Sequence, residues 1–313
     1  MTTLILGIDV SKQKLDVFDS HFQRHIQFFN TTEGIEKLIQ CYSSFEDKKV
    51  IIESTGSYQR LIHQKLEQAG FAVSIVNPYK TRCFAKSAGF LAKTDKVDAK
   101  MLWAYGEKVE CRITVCASSA QQELESLVHY KNLLQEELKR LINQQEYDNP
   151  SVLVKSLIIE QTDNLKNQLK QIDKKINELL DEDKDFKNKK EMLQTVPGVG
   201  IGTIASLLCY LPELGIANRK QIAALVGVAP LNCESGTFRG KAMINGGRAQ
   251  LRKSLYMPTL SCIRLNPPLR SFYQRLIQKG KPSKVALIAV MRKLILILSV
   301  MIKTNSTWRE QNA

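Results

Sequence analysis

The chain has 313 residues, of which 43% are hydrophobic and 24% are charged, and its formal net charge is +14. This composition suits a soluble globular protein with two or three domains and excludes wholesale disorder. The positive excess is confined to residues 236–313, which hold eight Arg and seven Lys against one acid. A segregated basic segment predicts a polyanionic partner, and nucleic acid is favoured over a general solubility role.

Cysteine usage and apolar stretches indicate the compartment. The seven cysteines form no CxxC pair and have no zinc-type spacing to His, which predicts reduced core thiols in a cytoplasmic protein. The first ten residues lack the basic region of a signal peptide and are predicted to form a strand. The apolar stretch 285–302 is interrupted by Arg292 and Lys293, so we expect a buried helix and no membrane partner.

The first predicted domain, residues 1–115, alternates strand and helix patterns. Its order predicts a mixed α/β sheet with helices packed on it, beginning with a three-stranded antiparallel meander. The predicted strands are 3–10, 14–19, 24–29, 49–53 and 71–76, and the predicted helices run from Thr31 or Thr32 to about Phe45, over 57–69, over a basic stretch that follows Pro78, and from Thr94 onward.

The second predicted domain, residues 116–188, has leucines three and four positions apart and almost no glycine. This pattern predicts a helical hairpin or coiled coil, broken near residues 148–150. The pattern leaves open whether the partner of each helix belongs to the same chain.

The third predicted domain, residues 189–313, is predicted to be mostly helical around a glycine-rich segment at 227–247, with breaks at Pro258 and at 266–268. Near its start, residues 193–207 read LQTVPGVGIGTIASL and resemble a helix-hairpin-helix motif. The turn amides of such a motif can hold a DNA phosphate without reading sequence. A plain turn between two packed helices explains the same pattern almost as well.

Four acids occupy positions that predict a common site. Asp9 ends the first predicted strand and Glu53 ends the fourth, while Asp95 and Asp98 lie three residues apart at a helix start. Neighbouring strands that both end in an acid bring the acids to one edge of the sheet, and clustered carboxylates need a cation. Oxygen ligands without His or Cys favour Mg²⁺ or Mn²⁺. Each acid alone is equally well explained as a turn or capping residue.

The glycine-rich segment contains a candidate nucleophile. Ser235 precedes Gly236 in an irregular stretch, where an exposed hydroxyl beside a phosphate site could attack phosphorus. No histidine close in sequence can act as its base, so activation must come from a metal or from a carboxylate brought by folding. Ser-Gly is also an ordinary turn, and Cys233 is a rival nucleophile. The predicted phosphate contacts are Arg239, Lys241, Arg248, Arg252 and Lys253.

These segments together resemble one protein family. The sequences GIDVSK, IIESTGSY and KTDKVDAKMLW, followed by VPGVGIGTIASL and GVAPLNCESGTFRGKAMINGGRAQLRKSLYM, appear in the order found in the Piv-type DEDD transposases and DNA invertases. These form the insertion-sequence family numbered 110. The resemblance runs from about residue 4 to residue 303, and it departs from the expected pattern at Cys233 and Glu234, directly before Ser235.

The resemblance implies an α/β plus α fold, with an N-terminal RuvC-like, RNase-H-type mixed sheet, a helical coiled-coil middle that helps dimerisation, and a mostly helical C-terminal transposase domain. Asp9, Glu53, Asp95 and Asp98 would be the metal ligands. Ser235 would attack DNA and form a covalent phosphoserine during strand exchange, in a site composed of carboxylates and serine.

The resemblance also implies partners. Family members work as homodimers or homotetramers on donor and target DNA, and some use an element-encoded structured guide RNA. Two alternatives stay open from the sequence. One is a RuvC-like junction nuclease that uses water as the nucleophile, and the other is a nucleic-acid-binding protein without catalysis.

Overall fold

The computed structural model describes residues 3–54, 56, 58–147, 151–232, 234–236, 238–240 and 242–308. The chain divides into two compact units after Ala117. The helices of the predicted middle domain share the hydrophobic core of the second unit. A separate middle domain therefore stays a prediction.

A five-stranded sheet forms the centre of the first unit. Its strand order is β3-β2-β1-β4-β5, with antiparallel pairing among the first three strands and parallel pairing of β1 with β4 and of β4 with β5. This confirms the predicted mixed sheet and its opening meander. The strands are β1 Leu4–Val10, β2 Lys14–Asp19, β3 Arg24–Phe29, β4 Lys48–Glu53 and β5 Ala72–Val76.

Four helices cover the two faces of this sheet. Thr31 caps the first helix by accepting a hydrogen bond from the Gly34 amide, which decides between the two predicted caps, Thr31 and Thr32. That helix ends at Cys41, and the backbone of Tyr42 leaves the helical conformation with φ −119° and ψ 14°, so the predicted end near Phe45 is wrong. The helices are α1 Thr32–Cys41, α2 Gln59–Gln68, α3 Pro78–Ser87 and α4 Asp95–Lys108.

Different helices pack on the two faces of the sheet. Even-numbered residues of β1, such as Leu6 and Ile8, pack with α1 and α2. The opposite face packs with α4, where Leu102 and Tyr105 meet Ile51. Because side chains alternate along a strand, Gly7 and Asp9 of β1 both point toward α4.

Helix α4 crosses β1 at Gly7 with no room for a side chain. A Cβ atom on Gly7 would overlap the carbonyl oxygen of Ala99 and the amide nitrogen of Trp103. Only glycine allows this approach of two backbones. The crossing carries the first turn of α4 toward Asp9, which lies two residues beyond Gly7 on the same face.

The second unit is helical apart from two short strand pairs. Helices α5 and α6 pack along each other within one chain, on either side of residues 148–150, which lie outside the described residues. The helices are α5 Ser119–Tyr147, α6 Val152–Glu182, α7 Lys184–Gln194, α8 Ile201–Tyr210, α9 Arg219–Val226, α10 Ala249–Leu265, α11 Pro267–Gln278 and α12 Ser283–Lys303. The strands are β6 Pro230–Leu231, β7 Glu234–Ser235, β8 Phe238–Arg239 and β9 Met243–Ile244, paired β6 with β9 and β7 with β8.

Two helices of the second unit test the predictions for the C-terminal region. The predicted break at Pro258 is wrong, because α10 continues through it with Leu255 and Cys262 buried in the core on either side. Helix α12 is long and apolar enough to span a membrane, and half of its apolar window is buried inside the unit. Its residues Val290, Leu294 and Leu298 are fully buried, which confirms the predicted buried helix.

Six cysteines are free among the described residues, and Cys233 lies outside them. Cys209 and Cys262 are buried, as predicted for core thiols. Cys41 and Cys83 are exposed, so the prediction is wrong for these two.

The Gly7 crossing predicts the effect of a single methyl group. We expect Gly7→Ala to lower the free energy of unfolding by about 2–3 kcal/mol, because α4 must shift away from β1. Gly70→Ala is the matched control, since Gly70 has a φ of 79° and open space around it. Its cost should be about 1 kcal/mol, from backbone conformation alone. Urea denaturation measures both, and an equal cost for the two variants would contradict the close crossing.

Candidate active site

The four predicted acids lie near one edge of the sheet in the first unit, close enough for their charges to affect one another, although no three of them bring carboxylate oxygens within 4.8 Å of one another. Strands β1 and β4 are parallel, with Ile8 opposite Ile52, and the next residues along each strand are Asp9 and Glu53. Both acids are half-buried. The Gly7 crossing adds the first turn of α4, which contains Asp95 and Asp98.

The start of α4 is defined by its cap. The Thr94 side chain accepts a hydrogen bond from the Val97 amide at 3.3 Å, so the helix begins at Asp95. Negative charge at a helix N-terminus is favourable, which allows two acids in one turn. Asp98 is half-buried and Asp95 is exposed.

The electrostatics show that these carboxylates repel one another. Burial raises the pKa of Asp9 to about 6, and the nearby charges of Asp98, Asp95 and Glu53 add to the effect. Burial also raises the pKa of Asp98, while Lys93 and Arg82 oppose that shift. A partly buried set of hard oxygen donors with unbalanced negative charge fits a divalent cation such as Mg²⁺ or Mn²⁺.

Glu53 is positioned by a residue that the sequence reasoning missed. The hydroxyl of Thr81 donates a hydrogen bond to Glu53 Oε2 at 2.7 Å, and Thr81 is fully buried. Thr81 lies on α3, whose start is set by the Asn77 cap and by Pro78 at its first position. The Asn-Pro pair predicted a boundary there, but only the fold shows which residue of the helix faces Glu53.

A fifth acid, Asp16, was also missed. It lies opposite Asp9 in the antiparallel pair of β1 and β2 and is 3% exposed. Its Oδ1 lies 2.8 Å from His25 Nε2 and accepts a hydrogen bond from Gln27 Nε2 at 3.1 Å. The sequence offered one signal for Asp16, an acid placed between the apolar residues Leu15 and Val17 of a predicted strand. A buried charge needs partners, so this position indicated a polar contact.

A second group of potential ligands lies elsewhere in the first unit. Ligand atoms of His63, Glu67 and Cys116 lie within 4.8 Å of one another, although their spacing in sequence shows no metal pattern. The Glu67 carboxylate accepts the Cys116 amide at 3.1 Å, and His63 Nε2 lies 2.8 Å from the Thr114 carbonyl oxygen. These contacts tie residues 114–116 to α2.

Ser235 lies in the second unit, on the exposed hairpin formed by β7 and β8. Ser235 is paired with Phe238, and Gly236 in the turn between them has a φ of 54°, which glycine adopts without strain. The Ser235 side chain is exposed to solvent. The rival nucleophile Cys233, the predicted contact Lys241 and the side chain of Arg239 lie outside the described residues.

Arg248 has partners within the second unit. Its guanidinium donates to both carboxylate oxygens of Glu213, at 2.5 and 2.6 Å, and to the Tyr210 carbonyl oxygen at 2.8 Å. Burial alone would raise the pKa of Glu213, but the hydrogen bonds from Arg248, a backbone hydrogen bond and the charge of Arg248 together lower it. The arginine therefore joins the loop after α8 to the start of α10.

The other two predicted contacts on α10 are also paired. Arg252 donates to the Gly246 carbonyl oxygen at 2.9 Å, and Lys253 donates to Glu136 at 3.1 Å. Gly227 and Gly247 pack backbone to backbone next to Arg252, with no room for a Cβ atom on either. The glycines and Arg252 thus hold together the loop that precedes α10. Contact of Arg252 and Lys253 with DNA phosphates stays a prediction.

The predicted helix-hairpin-helix turn is a tight connection between α7 and α8. Gly198 has a φ of 95° and packs against the backbone of Cys262, and α8 starts after Gly200 without a side-chain cap. A groove of about 880 Å³ opens beside this turn, with Lys131 and Lys139 among its lining residues. Amides at an uncapped helix start suit an anion, as the motif predicts.

Comparisons with known proteins agree with this arrangement. The chain matches a family model described as "Transposase" over residues 6–146 and one described as "Transposase IS116/IS110/IS902 family" over residues 190–274. It is 30% identical to the pilin gene-inverting proteins of Moraxella bovis and Moraxella lacunata, over 97% of each chain. It is also 28% identical to an uncharacterized 43.6 kDa protein of insertion element IS110 from Streptomyces coelicolor, over 38% of this chain and 30% of that protein.

The mixed sheet with its acidic edge, the helical second unit and these matches define a transposase, an enzyme of DNA recombination. The chain belongs to the IS110 family of transposases and invertases, as its sequence motifs indicated.

The raised pKa of Asp9 predicts a stability that depends on pH and metal. Ionisation of Asp9 is less favourable in the folded chain than in the unfolded chain, so it lowers the free energy of unfolding. This loss of stability is absent below about pH 4, grows as the pH rises and is complete above about pH 6. We expect metal-free Asp9→Asn to be more stable than the natural chain at pH 8, by about 2 kcal/mol after allowance for solvent screening.

Thermal unfolding at pH 5 and pH 8, with and without Mg²⁺, measures this effect. Mg²⁺ should stabilise the natural chain at pH 8 and have little effect on Asp9→Asn. Asp47→Asn is the control, since Asp47 lies on the opposite end of the sheet beside the start of β1. Equal Mg²⁺ stabilisation of all three chains would contradict a metal site at Asp9.

The contacts of Arg248 predict a structural effect that is separable from DNA binding. We expect Arg248→Ala to lower stability by about 1–2 kcal/mol, because the partly buried Glu213 loses its partner. Arg219→Ala, at an exposed arginine, should lower it far less.

The salt dependence of DNA affinity tests the predicted phosphate role of the same residue. If Arg248 stays paired with Glu213 when DNA is bound, the slope of log affinity against log salt is the same for Arg248→Ala as for the natural chain. A slope smaller by about 0.7–0.9 would show that it contacts a phosphate instead.

Proposed function

We propose that this transposase cuts and rejoins DNA strands with the Ser235 hydroxyl as nucleophile and Asp9, Glu53, Asp95 and Asp98 as ligands of Mg²⁺ or Mn²⁺. The observation that carries the metal assignment is the placement of the four acids near one edge of the sheet, where burial, with the charges of the other acids, raises the pKa of Asp9 to about 6. The strand order β3-β2-β1-β4-β5 with acids at the ends of β1 and β4 supports a RuvC-like, RNase-H-type assignment for the first unit.

In the proposed chemistry, a covalent phosphoserine replaces the broken phosphodiester bond, so the strands can be rejoined without another energy source. Divalent ions held by the four carboxylates would activate the nucleophile and stabilise the leaving oxygen. Ser235 Oγ forms a bond to phosphorus, and the bond from phosphorus to one deoxyribose oxygen breaks. The serine proton passes to a carboxylate, and the leaving oxygen takes up a proton to become a free hydroxyl. A hydroxyl of another strand then attacks the phosphoserine and restores Ser235.

One feature supports Ser235 in this role. Its side chain is exposed on a two-strand hairpin, where a DNA phosphate can reach it. A carboxylate would act as the base, because the neighbouring sequence offers no histidine.

The proposed partners are donor and target DNA, together with a structured guide RNA, in the cytoplasm. The basic segment 236–313 supports contact with either nucleic acid. Assembly into a homodimer or homotetramer through a coiled coil is supported by apolar side chains left exposed on α5 and α6. These side chains are Leu133, Ile142, Val152, Leu153, Leu157 and Ile159.

A junction nuclease is the second candidate function. All four acids belong to the first unit, so a metal site there needs no residue of the second unit. In that case water attacks phosphorus, and Ser235 is a turn residue.

A covalent adduct distinguishes the two functions. We expect the natural chain to form a protein–DNA complex that resists SDS and disappears on proteolysis, on substrates that carry the ends of its element. Ser235→Ala should abolish the adduct and strand exchange, because no other atom replaces Oγ. Denaturing gel electrophoresis of labelled DNA measures both.

Ser271→Ala is the matched control, since Ser271 is an exposed serine on α11 of the same unit. It should form the adduct normally. Cleavage by Ser235→Ala without an adduct would favour the nuclease and refute the serine mechanism.

A further inference from the structure

Helix α3 has one buried face and one exposed face. Thr81, Phe84 and Ala85 point toward the unit, with Thr81 fully buried and the other two packed on the core. Tyr79, Arg82 and Lys86 are spaced three and four residues apart and form an exposed stripe about 10 Å long. The Tyr79 side chain is 77% exposed, which is unusual for a large aromatic residue.

This exposed stripe lies next to the acid cluster. Thr81 on the buried face bonds Glu53 at 2.7 Å, so α3 is fastened directly to one of the four acids. Arg82 and Lys93 both lower the pKa of Asp98, which requires them to lie near its carboxylate. Strands β4 and β5 are parallel neighbours, so Tyr79, which follows β5, lies at the same sheet edge as Glu53.

The cations near this edge have no carboxylate partner within salt-bridge distance among the residues that the structure describes. Arg82, Lys86 and Lys93 are all exposed, and no ion pair within 4 Å joins them to a described acid. Arg248 and Lys253, by contrast, are paired with Glu213 and Glu136. Arg82, Lys86 and Lys93 are thus freer to bind phosphate than Arg248 and Lys253.

We propose that Tyr79, Arg82, Lys86 and Lys93, here called the α3 surface, bind the unpaired DNA strand whose phosphate enters the acid cluster. Tyr79 stacks on a base, since every base offers an aromatic face, and the three cations contact successive phosphates. The cations also offset the repulsion between DNA and the carboxylates. This inference rests on the proposed function and assigns DNA binding to a part of the chain outside the basic segment 236–313.

A charge-balancing role is the competing explanation for Arg82 and Lys93, since both lie near Asp98. It does not account for the exposed ring of Tyr79, or for Lys86, which forms no ion pair with a described acid. Lys86 and Tyr79 therefore decide between the two explanations.

The test measures binding of a fluorescent single-stranded DNA by fluorescence anisotropy over a range of salt concentrations. The DNA has about 20 nucleotides, which exceeds the roughly 4–16 nucleotides that a single-strand binding groove covers. The full-length chain carries Ser235→Ala, so that no covalent complex forms. We expect Tyr79→Ala to weaken binding about five- to a hundredfold and Tyr79→Phe to have almost no effect, because phenylalanine keeps the stacking ring.

Charge is tested by a matched pair of double variants. Arg82→Ala with Lys86→Ala should reduce the slope of log affinity against log salt by about 1.4, for two phosphate contacts on a single strand. Lys37→Ala with Lys108→Ala removes the same charge from exposed sites on α1 and at the far end of α4, and it should leave the slope unchanged.

Several results would overturn the proposal. Equal slopes for the two double variants would leave only charge balancing, and equal binding by Tyr79→Ala and the natural residue would exclude stacking. Effects confined to a single-stranded RNA of the same sequence would assign the surface to RNA. Adduct formation by the chain with an intact Ser235 is scored separately, so a failure of the α3 surface is distinguishable from a failure of the serine mechanism.

Discussion

The backbone contact between α4 and β1 at Gly7 determines where the acids of the first unit meet. Strand pairing alone places Asp9 beside Glu53, but Asp95 and Asp98 reach them only because α4 crosses the sheet without an intervening side chain. A helix normally packs about 10 Å from a sheet, with side chains between them. The missing side chain at Gly7 removes that separation locally and brings two carboxylates into the cluster.

The cluster that results is unfavourable without a counterion. Burial and the repulsion between the acids raise the pKa of Asp9, and Thr81 donates a hydrogen bond to Glu53. The carboxylate of Asp16 is contacted by His25 and Gln27 instead. The fold thus separates an acid satisfied by protein groups from acids left available to a metal, which is how an active site differs from a structural ion pair.

The basic residues also fall into two groups, those paired within the protein and those left exposed without a partner among the described acids. In the second unit, Arg248 and Arg252 hold loops together through a carboxylate and backbone carbonyl oxygens, although their sequence context suggested phosphate contacts. In the first unit, which lies outside the basic segment 236–313, Arg82 and Lys86 remain exposed without a described carboxylate partner within salt-bridge distance. Net charge of a segment therefore predicts the kind of partner better than it predicts the contact residues, because local pairing uses some of the charge.

The sequence by itself determined the strands of the first unit, the helical second unit, the buried α12 and the family, because these depend on local periodicity and short motifs. Tertiary structure alone decided that α10 passes through Pro258, that Thr81 positions Glu53, and that Asp16 lies beside Asp9. It also decided which cations are already paired. Those features depend on contacts between residues far apart in the chain, whose energies exceed local preference and leave no periodic signal in the sequence.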